Sequence, residues 1–225
     1  MANPIRPRHT SRASVVATSL FVGLLAAVGV VAFAPHAGGS TVQPRYAPTG
    51  THVVTEQSGA SIAGLTNAPT TTIPSSAITE LASFNGGAIG DVWTDRAKAL
   101  LPEDVVWGAT VYAAPSSTGQ ACYVVAGGPS SCVPAFTQAV PIAYAKFDRD
   151  GPGGDPVTVA GLAPDDVTAI DVEAGTSTYQ AHLSNNAFFF QLPSGDTEAV
   201  TGLVVKYGDD TSLRMPLAPL KSESG

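Results

Sequence analysis

The chain has 225 residues, of which 44% are hydrophobic and 13% are charged, and its formal net charge at pH 7 is −7. Such an acidic chain offers no basic face to a phosphate backbone. This composition excludes nucleic acid as a partner and predicts that anionic lipid surfaces repel the folded part. The chain has two cysteines, which are too few to form a zinc site by themselves.

The N-terminus combines a short basic stretch with a long apolar one. Residues 1–12 hold three arginines and no acidic residue, and the 22 residues at 13–34 carry no charge. As a helix, residues 13–34 would rise about 33 Å, enough to cross a hydrocarbon core of about 30 Å. Residues 35–225 hold 18 acidic and 8 basic residues, a net charge of −10. This asymmetry predicts a single-pass cell-membrane protein with a cytoplasmic tail (1–12), a transmembrane signal anchor (13–34) and an extracellular C-terminus.

A cleaved signal peptide is the alternative interpretation of the same segment. The sequence "AFA" at 32–34 has the small-x-small form that signal peptidases accept, and cleavage near Ala34 would release a secreted protein. The apolar run, however, is longer than the usual length of about 7–15 residues, and Pro35 would directly follow the cut. We therefore expect the anchor to stay uncleaved.

Residues 35–74 are rich in Pro, Thr, Ser and Gly and show no sustained apolar period. A segment of this composition buries too little apolar surface to offset the entropy lost when it is ordered. We expect a disordered stalk between the membrane and the folded part. Within it, "APTTTIP" at 68–74 has the composition of segments that carry O-linked sugars in exported proteins.

Two short helical patterns follow the stalk. "SSAITELASF" places Ile78, Leu81 and Phe84 on one side after a serine cap. "DVWTDRAKALLP" predicts a second helix that ends at a proline and presents one apolar face, made of Trp93, Ala97, Leu100 and Leu101. Both helices are short, so each needs a surface to pack against.

From Trp107 onward the apolar period changes to two, with turn residues between the runs. The pattern predicts a mainly β fold with an antiparallel, immunoglobulin-like β-sandwich over residues 155–220. Residues 75–154 form a preceding segment that joins the helices to a disulfide-bonded β-hairpin. Two clear runs of inward-facing residues are Tyr179, Ala181 and Leu183, and Leu213, Met215 and Leu217.

Cys122 and Cys132 lie in "QACYVVAGGPSSC", where a strand, a turn and a returning strand are predicted. Outside the membrane, a nearby cysteine pair tends to be oxidised. No histidine lies close to them to complete a metal site, and the C-x-x-C spacing of redox enzymes is absent. We expect one structural disulfide across the hairpin.

Five stretches between residues 107 and 217 carry a resemblance to known proteins. They are "VYAAPSSTGQACYVV", "GGPSSC", "DRDGPGG", "VAGLAPDDVTAIDV" and "NNAFFFQLP". In this order they are similar to a group of exported or membrane-anchored actinobacterial proteins of unknown function with a mainly β ectodomain. The resemblance implies no activity and assigns no role to a residue.

The sequence contains no recognisable catalytic motif. Only one of the four histidines, His182, lies in a predicted strand, and the alternation turns it towards solvent. The pairs Asp165–Asp166 and Asp209–Asp210 fall at predicted turns, where aspartate commonly bonds nearby backbone amides. Catalytic carboxylates would have to converge on a cleft from different strands, and no pattern indicates that they do. We expect no enzymatic activity and no cofactor.

Asp148, Asp150 and Asp155 surround a Gly-rich turn in "FDRDGPGGDP". Calcium prefers oxygen ligands in such flexible loops. Pro152, however, occupies a position where another ligand is needed, and no glutamate closes the loop. We expect at most weak calcium binding, and we interpret the loop as a polar connector.

The run "NNAFFFQLP" contains three consecutive phenylalanines. In a strand, Phe188 and Phe190 share one face and Phe189 takes the other. We expect the pair to fill the core, and Phe189 to pack beneath the helix around Trp93 and Leu100. Two alternatives are that Phe189 is an exposed interface contact, or that the strand runs in the opposite register.

These patterns together predict a non-enzymatic, membrane-anchored extracytoplasmic protein with a binding or structural role in the cell envelope. Its partner would be an envelope protein or a glycan, reached outside the membrane that residues 13–34 span. The alternatives are an extracytoplasmic hydrolase of cell-wall or glycan material, and an accessory subunit of a membrane complex.

Overall fold

A computed structural model of the chain describes residues 47–101, 110–148, 157–193 and 199–217. All of these residues belong to one compact unit. The predicted cytoplasmic tail, the predicted anchor and the first part of the predicted stalk lie outside the described residues. Within the described ranges, no helix has the length and apolar character needed to span a membrane.

Antiparallel strands dominate the described residues, together with two short α-helices and two 3₁₀ helices. In chain order the strands are β1 (Thr49–Gly50), β2 (Gln57–Ser58), β3 (Lys98–Leu101), β4 (Val111–Pro115), β5 (Ala121–Val125), β6 (Ser130–Val133), β7 (Ala135–Phe136), β8 (Ala143–Asp148), β9 (Val157–Leu162), β10 (Val167–Ala174), β11 (Ser177–Gln180), β12 (His182–Ser184), β13 (Ala187–Gln191), β14 (Val200–Tyr207) and β15 (Ser212–Pro216). The α-helices are α1 (Ala63–Asn67) and α2 (Ser75–Ala82), and the 3₁₀ helices are Gly59–Ser61 and Thr94–Arg96.

The strands form three main sheets. The outer sheet has the order β1-β15-β14-β10-β11, the central sheet β12-β13-β9-β8, and the disulfide sheet β3-β4-β5-β6. Strands β2 and β7 add a two-stranded ribbon. A mainly antiparallel β fold of the sandwich type, as the period-two runs predict, is therefore confirmed.

The central sheet is buried on both faces. Phe188 and Phe190 point from β13 into the core that the central sheet shares with the outer sheet. Phe189 points the opposite way, into a second core that the central sheet shares with the disulfide sheet. The predicted alternation of these three side chains is confirmed, and it ties the three sheets into consecutive layers.

Helix α2 covers the other face of the disulfide sheet. Its Leu81 is fully buried in a cluster with Cys122, Val124 and Cys132. Its Ala77 packs one turn earlier in a smaller cluster on the same face. Both side chains lie on one side of the helix because residues four apart are stacked along an α-helix. The helix is thus the fourth layer of the fold.

The predicted helix over 91–102 is wrong. This segment forms only the 3₁₀ turn Thr94–Arg96 and then strand β3, which pairs with β4 and has a register shift between Ala99 and Leu101. The shift lets two successive leucines, Leu100 and Leu101, both lie in the core between the central and disulfide sheets. A short apolar run fits helix or strand equally well. Here the run forms a strand because its backbone pairs with that of β4.

The predicted disorder of the stalk is wrong for residues 47–74, which are folded. Ile62 is fully buried in the core between the central and disulfide sheets, and α1 adds Leu65 to it. Strand β1 pairs with β15, and β2 pairs with β7. Composition did not predict this order, because a few apolar residues of the segment pack into the core of the rest of the fold instead of forming a core of their own.

An Asn–Asn turn fastens this N-terminal segment to the central sheet. Asn185 and Asn186 both have positive φ, 47° and 67°, as a type I′ hairpin between β12 and β13 requires. The Gly64 amide donates to Oδ1 of Asn186 at 2.7 Å. A Cβ at Gly64 would lie only 2.0 Å from the carbonyl oxygen of Asn185, so this close approach needs glycine.

The boundary predicted at residues 154/155 does not separate two bodies. Strand β8 on one side of it pairs along its whole length with β9 on the other side, from Ala143 opposite Leu162 to Asp148 opposite Val157. In the outer sheet, the predicted inward residues Leu213, Met215 and Leu217 are buried. Tyr179, Ala181 and Leu183 also pack on the core between the outer and central sheets. The chain changes sheets after β11, so this run is divided between the outer and central sheets.

We predict that Phe189→Ala lowers the free energy of unfolding by about 3–5 kcal/mol, because it opens a cavity between two sheets. Trp93→Ala is expected to cost less, since Trp93 is 37% exposed and lies outside that core. The two costs should add in the double variant, because the residues belong to different clusters. Urea unfolding of the three variants measures this, and a double variant that loses clearly less than the sum would contradict the layer assignment.

Candidate functional site

A histidine from the N-terminal segment lies against the outer sheet at the end of β14. His52 follows β1, Tyr207 ends β14, and the turn after β14 supplies Asp209 and Thr211. Asp166 comes from the loop between β9 and β10. We call these five residues the His52 cluster.

The imidazole of His52 stacks flat on the phenol ring of Tyr207. The ring centroids are 3.4 Å apart and the planes differ by 8°. Only 9% of the His52 side chain is exposed, and Tyr207 is 2% exposed. The stack gives the N-terminal segment an aromatic anchor where β1 itself is only two residues long.

Hydrogen bonding by Thr211 decides which His52 nitrogen carries a proton. The Thr211 hydroxyl lies 2.5 Å from Oδ1 of Asp209, and the Thr211 amide donates to the same oxygen at 3.1 Å. A carboxylate accepts, so the hydroxyl proton points to Asp209. The Thr211 oxygen then accepts from Nδ1–H of His52, at 2.7 Å. We infer that Nδ1 is protonated.

Two carboxylates flank the imidazole on its two nitrogen sides. Oδ2 of Asp166 is 3.5 Å from Nε2, and Oδ2 of Asp209 is 3.4 Å from Nδ1. Nε2 of His52 and the hydroxyl of Tyr207 are both buried without a hydrogen-bond partner. The carboxylates are more exposed, at 42% for Asp166 and 59% for Asp209. The cluster is therefore acidic at its exposed rim and buried at its centre.

These contacts shift two pKa values in opposite directions. Burial raises the pKa of Tyr207 above its usual range, and the negative charges of Asp166 and Asp209 add to the rise. The pKa of Asp209 is held below its usual value, first by the hydrogen bond from the Thr211 hydroxyl and then by the hydrogen bond from the Thr211 amide. Tyr207 is therefore a neutral phenol, and Asp209 is ionised at neutral pH.

A second set of bonds holds the backbone next to His52. Oε1 of Gln138 accepts from the amide of Val54 at 2.8 Å, and its Nε2 donates to the carbonyl of His52 at 3.2 Å. The His52 cluster and Gln138 therefore hold the N-terminal segment together, one through the His52 ring and the other through the backbone of His52 and Val54. A catalytic role has less support, because the unpaired Nε2 is buried and the hydroxyl of Thr211 is directed at Asp209.

Asp165 and Asp166 have different tasks, and Asp209 of the second pair belongs to the His52 cluster. Asp166 joins the His52 cluster, whereas Asp165 accepts hydrogen bonds from Gln57, the Ala63 amide and Asn186 at 2.7–2.8 Å. Both sets of contacts hold the N-terminal segment. Asp166 and Asp209 come from different loops, but they converge on a buried histidine and not on the open cleft that a catalytic pair needs.

The predicted disulfide between Cys122 and Cys132 is confirmed. The two cysteines lie directly opposite each other on β5 and β6, with their Cα atoms 3.9 Å apart. Helix α2 covers the bridge through Leu81, so neither cysteine is more than 6% exposed. The bond is a buried staple of the hairpin.

The predicted calcium loop lies mostly outside the described residues. The backbone of Asp148 ends β8, and Asp150 and Asp155 fall in the undescribed stretch that follows. Among the residues that the structure does describe, no group of three or more His, Cys, Asp or Glu side chains is arranged to hold a metal ion. The expectation of at most weak calcium binding stays a prediction.

His182 is half-buried at the edge of an open cavity of about 350 Å³ between the outer and central sheets. Thr168, Gln180 and Leu183 line the same cavity. No acid is among the cavity's lining residues, and the Thr168 hydroxyl donates to the carbonyl of Lys206, so neither gives His182 a catalytic partner.

Phe189 is 2% exposed, so its alternative role as a surface contact is wrong. It shares a buried cluster with Leu100, as expected, although Leu100 lies on a strand and not on a helix. Trp93 lies elsewhere, on the surface, where the guanidinium carbon of Arg96 sits 4.4 Å above its ring.

Sequence reasoning missed His52 and Tyr207. His52 stands in a Pro- and Thr-rich stretch, and nothing local distinguishes it from a stalk residue. One signal was present in "YGDDTS", because an Asp-x-Thr sequence in a turn forms a local side-chain-to-backbone bond and leaves the threonine oxygen as an acceptor.

Searches against protein-family models, curated proteins and solved structures found no match to this chain. The resemblance to actinobacterial exported proteins stays a prediction.

We predict that His52→Ala destabilises the fold and raises hydrogen exchange first in residues 47–58, because it removes the ring stack and the bond to Thr211. Tyr207→Phe is the matched control. It keeps the ring and deletes only a buried hydroxyl that has no partner, so stability should stay equal or rise. Native-state hydrogen exchange measures both, and equal losses in the two variants would contradict the assignment.

The acid side of the stability profile should depend on Asp209. Its pKa is depressed in the folded state, so its contribution is fully present above the ordinary value of about 3.9 and is lost as the pH falls through the lower folded-state value. Thr211→Val removes the largest cause and should move the Asp209 titration upward, as NMR of the side-chain carboxyl would show. Thr178→Val, in β11, should leave that titration unchanged, and a shift in both variants would argue against the bond.

Replacing both cysteines with serine should lower the free energy of unfolding by about 2–3 kcal/mol, because the bridge closes a short loop in the unfolded chain. Denaturant unfolding of the oxidised protein and the variant measures this difference. Non-reducing peptide mapping should show one bridge within the chain, and free thiols in the purified protein would contradict it.

Proposed function

We propose that this protein is a non-enzymatic, single-pass membrane-anchored extracytoplasmic protein with a binding or structural role in the cell envelope. Residues 13–34 form the anchor, and the described residues form a compact ectodomain that includes a sandwich of immunoglobulin-like size. The partner is an envelope protein or a glycan. Secretion after cleavage near Ala34 is the alternative location.

The disulfide is the observation that carries this proposal. Bonds of this kind persist in oxidising compartments and are rare in reducing ones. Cys122 and Cys132 face each other on neighbouring strands, and helix α2 seals them from solvent. This geometry suits a permanent staple and not a redox centre, whose cysteines need access. Together with the basic tail and the apolar run, it supports export of residues beyond 34.

The His52 cluster supports a structural role for the segment that follows the anchor. A pull on the anchor reaches the described body first at β1, whose pairing with β15 covers only two residues. His52 and Gln138 reinforce this short pairing directly behind it. An anchored ectodomain needs such a fastening, whereas a freely secreted domain gains only a little stability from it.

A hydrolase has less support than a binding or structural protein. Its general base would have to reach a substrate, but Nε2 of His52 is buried beneath Asp166. His182 has no acid beside it in the cavity that it lines, and the Thr168 hydroxyl there donates to the carbonyl of Lys206. The proposal therefore gives both histidines non-catalytic roles.

The experiment combines topology with partner capture in the cells that make the protein. The full chain with a C-terminal epitope should pellet with membranes, resist extraction by salt, and lose its epitope when intact cells are treated with protease. A variant that lacks residues 1–34 is the control and should stay soluble and protected. Crosslinking on intact cells then identifies the partner. A protected epitope on the full chain would refute the topology, and a soluble product that begins near residue 35 would establish secretion.

A further inference from the structure

The segment between α1 and α2 presents three consecutive threonines on the surface. Pro69 and Thr70 to Thr72 are exposed, and Pro74 closes the segment. We call residues 69–74 the threonine loop. Before the loop, Ala68 is buried in the core between the central and disulfide sheets. At the far end of the loop, Ile73 packs beside Ala77 and Ala99. The loop is thus held at both ends while its middle stands in solvent.

The backbone on either side of the threonines is extended, and the threonines take no part in backbone pairing. Ala68 and Pro74, on either side of the threonines, have φ −58° and ψ 143°, the polyproline II conformation. No backbone hydrogen bond within the described part of the chain involves residues 69–73. An extended strand with unpaired amides and carbonyls can lie in the groove of a modifying enzyme without unfolding anything.

The three hydroxyls differ in their surroundings. Oγ1 of Thr70 accepts a hydrogen bond from Nζ of Lys98 at 3.2 Å. No hydrogen bond in the described part of the chain reaches the hydroxyls of Thr71 or Thr72. Ser76, nearby, is also exposed, but its backbone is fixed in helix α2. Accessible, unbonded hydroxyls on an extended backbone therefore occur at Thr71 and Thr72.

We propose that Thr71 and Thr72 are acceptor sites for O-linked sugar. This assignment rests on the export in the proposed function. The donor is a sugar activated at its anomeric carbon by a phosphate. Oγ1 attacks that carbon, and a new C–O bond forms as the bond to the phosphate oxygen breaks. The phosphate leaves with the electron pair, and the hydroxyl proton passes to a base of the transferase. This chain is the substrate and not the catalyst.

The position suits a permanent modification. A sugar at either threonine extends into solvent, so the buried neighbours Ala68 and Ile73 are left in place. Prolines at both ends keep the segment extended and restrict its conformations. Threonine-rich, proline-containing segments of exported proteins commonly carry such sugars, and here the fold displays one instead of leaving it in a stalk.

The test is mass spectrometry with site localisation on the full chain purified from the cells that make it. The peptide that contains the threonine loop should carry whole sugar units, which disappear in Thr71→Val/Thr72→Val. Thr70→Val is the matched control and should keep them, and Ser76 should stay unmodified. Both variants should form the disulfide and unfold at the same denaturant midpoint as the parent, since these side chains are exposed.

Other outcomes are equally informative. An exported, disulfide-bonded chain with an unmodified loop would overturn this proposal and leave the proposed function intact. An unmodified chain that is not exported would overturn both. The variant without residues 1–34 separates the donors, because a chain retained inside meets nucleotide-linked sugars. Sugar on that variant would support the acceptor assignment and identify such a donor, whereas sugar on the full chain alone would indicate a lipid-linked donor outside the membrane.

Discussion

The central sheet must be covered on both of its faces, and most of the architecture follows from this requirement. Successive side chains of a strand point to opposite sides, and in β13 three successive positions are phenylalanine. The outer sheet covers Phe188 and Phe190, and the disulfide sheet covers Phe189. An apolar strand of this kind cannot form the surface of a two-layer sandwich, so a third sheet is needed and the chain between α2 and β8 supplies it.

The disulfide sheet in turn needs a cover of its own, which α2 provides. Ile62 and Leu65 of the N-terminal segment pack into the core between the central and disulfide sheets. Polar contacts then fix this segment in place: the Asn–Asn turn holds Gly64, Asp165 holds the Ala63 amide, and the His52 cluster holds the start of the segment. Helix α2 and the N-terminal segment are thus each held by contacts with the sheets that they cover.

The His52 cluster shows how a stretch of low apolar content becomes ordered. Between β1 and β2, Val54 is buried in the core beside the outer sheet, whereas its neighbour Val53 is 81% exposed. The stack on Tyr207 and the bond to Thr211 add an aromatic and a polar anchor to the small hydrophobic one that Val54 provides. The same contacts give Asp166 and Asp209 a role beyond the bonds to nearby backbone amides that aspartate commonly makes in turns.

Local patterns in the sequence were sufficient for the strand alternation, the antiparallel β class and the hairpin disulfide. These features depend on residues that are close in the chain, as the alternation in Leu213, Met215 and Leu217 illustrates. The strand at Leu100, the order of residues 47–74 and the meeting of His52 with Tyr207 were decided only by tertiary structure. In each case the deciding partner is distant in the chain, so the energy that fixes the conformation comes from pairing or burial that no local period records.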